Sequence, residues 1–464
     1  MLDEAPTSML HVKAAFTSGM GFFTDGYDLT IISTVLLLLV PQWGLSTVQI
    51  GLVGSATAFA AFFGSVIFGR LADIIGRKKL YGIEALIMVV GAILTALSPN
   101  FMWLLIFRLF LGIGIGGDYP VSATIMTEYA NRKNRGRQVA MMFSSLAAGT
   151  IAGYIVALAL LAAGVDHALA WRLMLGLGAI PACGVLYLRR SMPESPRYTA
   201  NVVGDAKRAA SELNGFAAGA VKAQSDADGV RMKLTFLQAL SNRKFLITLL
   251  GTGGAWFSMN IAVNGNSLMQ PSILAGLAPH ASLAGVTAIN LILAVLFNVT
   301  GLVCGVLLMD RVSRKGLLIT GCTICIVAFL AIGFIPSITD NLVAFLVVFG
   351  LASFGNYLGP YAGIMVLSAE SFPTSVRATG HGVSAGVGKL GAYVGSFFAP
   401  LVLAAFGLHI TEIVAAACYG VAILFLFLVP EPAGRSLSEL ERSMLPSALR
   451  ATKAPVTADS GVQA

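Results

Sequence analysis

LADIIGRK at residues 71–78 and LMDRVSRK at residues 308–315 are one pattern written twice. Each puts an Asp near the end of an apolar run and a basic pair four and five residues later. Two further pairs keep the same order and nearly the same separation. Glu128 with Arg135 answers to Glu370 with Arg377, and Pro193-Glu194 answers to Pro430-Glu431. Three motifs repeated in order mean that the chain is two related halves. Parallel halves of this kind are the architecture of alternating-access transporters, whose solute site lies between them near the bilayer midplane.

Composition places those halves in a membrane. Of the 464 residues 56% are hydrophobic and 11% charged, and the mean hydropathy is +0.82; a soluble domain carries about 25% charged residues. A spanning helix needs roughly 20 apolar residues. Twelve such runs are expected, at about 14–40, 48–69, 80–98, 101–126, 138–163, 170–189, 244–270, 283–309, 316–336, 341–367, 380–406 and 411–430. The expected fold is therefore an all-α membrane protein of twelve transmembrane helices in two pseudo-symmetric six-helix halves, 1–192 and 244–430. A polar linker, 193–243, joins them, and a polar tail, 431–464, follows. The N-terminal MLDEAPTSMLHVKAAF lacks the basic region and cleavage site of a secretory signal.

The Lys and Arg residues fix the expected orientation. All but Arg108, Arg172 and Lys389 lie in the terminal segments or in every second loop. Both termini are expected to be cytoplasmic, in a plasma (inner) membrane. The net charge of +8 follows from this topology, so no nucleic-acid partner is expected. The expected partners are lipid, protons and a small anionic solute, with the chain acting as a monomer.

The charges inside the spans point to the site. RLFLGIGIGGDYPVSATIMTEYAN, 108–131, carries Arg108, Asp118 and Tyr119 within an apolar helix. A charge at the bilayer centre costs about 2.5–3.5 kcal/mol on insertion scales, so such residues face a cavity or a partner. Arg108 and Tyr119 point nearly the same way, and Asp118 lies about 80° round. Asp25 and Asp28 share one face of the first span. Two carboxyls close together in a low-dielectric cavity cannot both stay ionised cheaply. Asp25 is therefore favoured as a proton carrier. Asp28 is either a second one or a structural partner for Arg108 or Lys389. Arg108 is either an anion ligand or the counter-charge of an acid. Trp256, Asn260 and Asn264 form one stripe of the seventh span, and Lys389 lies near mid-span in the glycine-rich eleventh. Asp73, Arg77, Glu128, Arg135, Asp310, Arg314, Glu370 and Arg377 at the basic ends of the helices are expected to gate that face.

GRLADIIGRKK (69–79) resembles the signature loop of the major facilitator superfamily, and Arg108 with Gly112, Gly114 and Gly116 resembles its fourth-span motif. PESPRY (193–198) and PEPAGRSLSELE (430–441) resemble the ends of the halves in its sugar-porter-like branch. GMGFFTDGYDL (19–29), GIGIGGDYPVSATIM (112–126) and AESFPTSVRATGHGVSAGVGKLGA (369–392) resemble the phosphate:proton symporter family. The resemblance implies that Asp118 is a proton-coupling acid, that Tyr119 touches solute, and that Lys389 opposes the acids of the first span. It places Tyr119, Trp256, Asn260, Asn264 and Tyr361 at the solute. Tyr119 and Trp256 match the family. Leu146, Asn260, Asn264 and Tyr361 stand where it has Gln, Asp, Tyr and Asn, and such a lining would suit a small organic anion as well as phosphate.

Other signals carry less. Gly112-x-Gly114-x-x-Gly117 and Gly382-Val383-Ser384-Ala385-Gly386 imitate nucleotide-binding and hydrolase motifs without the strands those motifs need. Cys322 and Cys325 fall inside an apolar span, and the five His match no metal spacing. No cofactor, metal or enzymatic activity is expected; the proton gradient is the driving force. An efflux antiporter or a non-transporting nutrient sensor on the same fold is the alternative. The fifth span, however, has Gly149 and Gly153 but no Pro, and the tail after the twelfth span is about thirty residues, short of the roughly 50 of a small domain.

Overall fold

The computed structural model describes residues 9–130, 135–189, 194, 199, 205 and 236–431. Every regular element among them is helical. Ten helices cross the bundle singly: α1 (Met9–Trp43), α2 (Thr47–Ile75), α3 (Arg77–Ala96), α4 (Phe101–Tyr129), α5 (Arg135–Ala162), α6 (His167–Arg189), α7 (Arg243–Leu277), α8 (Leu283–Leu308), α9 (Arg314–Phe334) and α10 (Leu342–Ser371). The last run, Arg377–Leu426, is 50 residues long and turns back at Gly407, whose φ of 78° and ψ of 178° are not helical. It supplies α11 (377–406) and α12 (408–426), making the expected twelve spans. The expected linker and tail lie outside the described residues, except for Glu194, Thr199, Asp205, 236–243 and Glu431.

Local chemistry sets where the helices start. Ser46 and Gln49 cap α2 reciprocally, and Asn100, Ser282 and Asn341 accept backbone N–H groups at the starts of α4, α8 and α10. Gly359-Pro360 interrupts α10, because Pro cannot donate the helical hydrogen bond.

Lipid provides no hydrophobic drive between helices, so close packing holds the halves together. In the first half Gly26 of α1 faces the Leu146 carbonyl of α5, and Gly149 faces the Phe23 carbonyl. In the second half Gly391 and Gly395 of α11 face the carbonyls of Phe257 and Ile261 on α7. A Cβ at any of these would overlap backbone. The two pairings are equivalent under the internal repeat. Between the halves α2 runs along α11, and α5 meets α8. Large side chains such as Phe63, Leu97, Leu250 and Leu424 are left exposed, as a lipid-facing surface requires.

Candidate functional site

Between the halves lies a cavity of about 130 Å³. Tyr119, Phe143 and Leu146 line it from the first half, and Trp256, Asn260, Asn264, Tyr361 and Lys389 from the second. All five expected solute residues therefore meet at one cavity, which Asn266, Gln270 and Asn356 also line. Its polar groups are mostly amides and hydroxyls. The Asn260 Nδ2 donates to the Gly388 carbonyl at 2.9 Å and Asn264 Nδ2 to the Asn260 carbonyl at 3.2 Å. Each amide is thus partly spent on fixing its helix, and keeps one N–H and its oxygen. Tyr361 packs between Phe143 (4.9 Å) and Tyr357 (4.1 Å).

The two acids of α1 have separate partners. Asp25 Oδ2 accepts from Tyr119 Oη at 2.6 Å and from Lys389 Nζ at 3.0 Å, and Lys389 also lies 4.2 Å over the Tyr119 ring. This contact joins α1 and α4 of the first half to α11 of the second. Asp28 faces Arg108 instead, with both oxygens 3.2 Å from its two terminal nitrogens. Arg108 is completed by the Val53 carbonyl (2.8 Å) and Thr57 Oγ1 (3.2 Å) on α2. Arg108 is thus paired with Asp28. It is fully buried and is not among the cavity lining.

Asp118 is also apart from the cavity. It packs beneath Gly21 of α1 and pairs with Arg189, the last residue of α6. Arg189 Nη1 also holds Glu84 of α3 at 3.0 Å, Nη2 donates to Ser122 Oγ at 3.1 Å, and the guanidinium lies 4.1 Å over Tyr81. Position alone puts Arg189 with the loop cations; the structure turns it inward and buries it. Two acids share this one cation. A charge inside the apolar span 80–98 was the signal for Glu84.

The end of the bundle where α1 begins and α12 ends is closed by polar contacts between the halves. Asp73 Oδ2 accepts from the Thr379 backbone N–H (2.7 Å) and hydroxyl (2.6 Å) across the interface. Glu128 Oε1 meets Arg77 of its own half at 3.1 Å and Arg377 of the other at 3.4 Å. Asp310 accepts from the backbone N–H of Gly136 (3.2 Å) and Arg137 (2.8 Å), again across the interface, and meets Arg314 at 2.7 Å. Arg314 also lies 3.5 Å from Glu370. Burial pushes the Asp310 carboxyl above its ordinary range, opposed by the Arg137 amide and by Arg314. Glu194 and Glu431 occupy equivalent places, each accepting two backbone N–H groups at the starts of α3 and α9. The side chain of Arg135 falls outside the described residues.

A bundle of two six-helix halves, closed at one end around a mid-depth cavity with buried acid–base pairs, defines a secondary membrane transporter. Residues 13–444 match the family described as sugar (and other) transporter, and the chain belongs to that family. It is an integral multi-pass membrane protein and a transporter, not an enzyme. It is 34% identical over 500 aligned positions to probable inorganic phosphate transporter 1-6 of Arabidopsis thaliana, covering 97% of each chain. It is likewise 34% identical to inorganic phosphate transporter 1-6 of Oryza sativa subsp. japonica, covering 95% of this chain and 94% of the relative. Its fold is that of the major facilitator superfamily proton:xylose symporter XylE bound to 6-bromo-6-deoxy-D-glucose. The two agree with a TM-score of 0.81 at 20% identity, covering 95% of this chain and 100% of that one.

Proposed function

We propose that the chain is a proton-coupled symporter that brings an anion into the cell, with inorganic phosphate the first candidate. The carrying observation is the Asp25–Lys389 contact of 3.0 Å across the two halves. Lys389 needs a counter-charge in the low-dielectric interior. Ionised Asp25 supplies it when the cavity is empty. Protonating Asp25 frees the ammonium, and an anion beside Tyr119 and Lys389 then replaces the lost charge. Proton and anion load together, and no bare charge crosses the membrane, a step worth about 2.3 kcal/mol per charge per 100 mV.

Asp28 and Arg108 hold α1, α2 and α4 together in this scheme, and Asp118 with Glu84 and Arg189 is a second buried acid cluster available to protons. Asp73, Arg77, Glu128, Asp310, Arg314, Glu370 and Arg377 form the inner gate. The basic residues gathered at that end support a cytoplasmic placing for both termini, in the plasma (inner) membrane, and a single copy holds the whole cavity. The plant relatives named as inorganic phosphate transporters support phosphate as solute. Leu146 and Tyr361 in the lining favour a second reading, a small organic acid.

Uptake of labelled phosphate into proteoliposomes under an acid-outside gradient tests both. Uptake abolished by a protonophore is the expected result, and uptake indifferent to the gradient would overturn the coupling. If phosphate fails and a small carboxylate is accumulated in the same vesicles, the second reading stands.

A further inference from the structure

Glu412 on α12 is a fully buried carboxyl that the scheme above does not use. Its Oε2 accepts from Asn266 Nδ2 on α7 at 2.9 Å, and its Oε1 has no hydrogen-bond partner among the described residues. It takes part in none of the ion pairs among the described residues. The ionisable groups on the surrounding helices bring it no cation. They are Cys322 and Cys325 on α9, Tyr357 and Tyr361 on α10, His381 and Tyr393 on α11 with Arg377 at its far end, and His409, Cys418 and Tyr419 on α12 itself. His409 is turned to the Ile332 carbonyl, Tyr419 to Asn356, and Lys389 on α11 is held by Asp25. Arg243, Lys244, Arg314, Lys315 and Glu370 sit at the far ends of α7, α9 and α10. No neighbouring charge fixes Glu412 in one protonation state.

Asn266 lines the cavity. An ionised carboxylate can only accept hydrogen bonds, so it holds the NH2 of Asn266 and leaves the amide oxygen for the cavity. A protonated carboxyl can donate its O–H to Asn266 Oδ1 instead. The amide then turns over and offers its NH2 to the cavity. The proton comes from water and is the only particle transferred.

We propose that Glu412 is a further proton-binding group, set in the C-terminal half, which switches the Asn266 face of the cavity from hydrogen-bond acceptor to donor and so favours an anion. The inference rests on the anion symport reading for its purpose, but not for its mechanism. Glu412 is a positioning residue, acting through Asn266.

The test uses the full chain, wild type, Glu412→Gln and Asn266→Ala, in two measurements across pH 5–9. The first is infrared difference spectroscopy without solute. A carboxylic-acid carbonyl signal should titrate in wild type and Asn266→Ala and vanish in Glu412→Gln. A side-chain amide signal should move with it in wild type and be lost in Asn266→Ala. The second is binding of inorganic phosphate. Wild type should lose about 10–150-fold in affinity through Glu412 ionisation, the effect of one charge-assisted hydrogen bond. Glu412→Gln, which keeps a neutral donor, should flatten that part of the profile. Absence of a titrating signal from Glu412, or a carboxyl signal with no amide response, overturns the switch whatever the solute is. A phosphate profile unchanged by Glu412→Gln overturns its role in anion binding. Failure of wild type to bind phosphate at any pH counts against phosphate as solute, and the infrared result still decides the switch.

Discussion

Replacing Glu128 by Gln should open the inner gate, and the structure sets by how much. Glu128 Oε1 touches Arg77 within its own half and Arg377 in the other. Of these two, the second is the one that must break when that face opens and so weighs on the conformational equilibrium. At 3.4 Å between fully buried groups it is a charge-assisted contact, worth about 1.5–3 kcal/mol. Losing it shifts the closed-to-open ratio by about 10–150-fold. Arg377 keeps the Phe372 carbonyl at 3.1 Å and Arg77 keeps Asp73 at 3.2 Å, so neither guanidinium is stranded and the fold should survive. Spin labels on exposed Lys79 and Arg311, one in each half, in a background without the five native cysteines, read the ratio as two distance populations. The short-distance population should collapse in Glu128→Gln. A population changed by less than threefold would show that the gate is held elsewhere.

Three further outcomes follow from the same contacts. Arg108→Gln leaves Asp28 buried without its cation and should cost about 3–5 kcal/mol of stability, most of it restored by adding Asp28→Asn; thermal unfolding in detergent measures both. Thr379→Val removes the hydroxyl donor to Asp73 but not the backbone one, and should shift the spin-label populations in the same direction as Glu128→Gln but less. Asp310 gives a pH test. Its raised pKa means that ionisation opposes stability, an effect absent below the ordinary carboxyl range and fully present above the raised one. The Tm of Asp310→Asn relative to wild type should therefore be more favourable at pH 7 than at pH 4.

Much of the fold was legible because a bilayer imposes length and hydropathy on every span, and because the duplicated Asp73 and Asp310 loops mark equivalent helix ends. The pairing of the buried charges was less so. Helical spacing puts Asp25 and Asp28 on one face, but three residues of offset on α1 send one to Lys389 on α11 and the other to Arg108 on α4. That difference depends on helix packing, which no local pattern encodes. Arg189 stands at a span end, where an interfacial cation is the ordinary expectation, yet a long side chain can reach inward to Asp118 and Glu84. Glu412 sits alone in an apolar run, and only its neighbour Asn266 connects it to the cavity.

The central claim is that Asp25 carries the proton whose loading exchanges Lys389 for the anion. Asp25→Asn in proteoliposomes tests it most directly, by comparing net uptake driven by a proton gradient with exchange of preloaded labelled phosphate. Loss of net uptake with exchange retained is the predicted result. Net uptake that continues unchanged would place the coupling acid elsewhere.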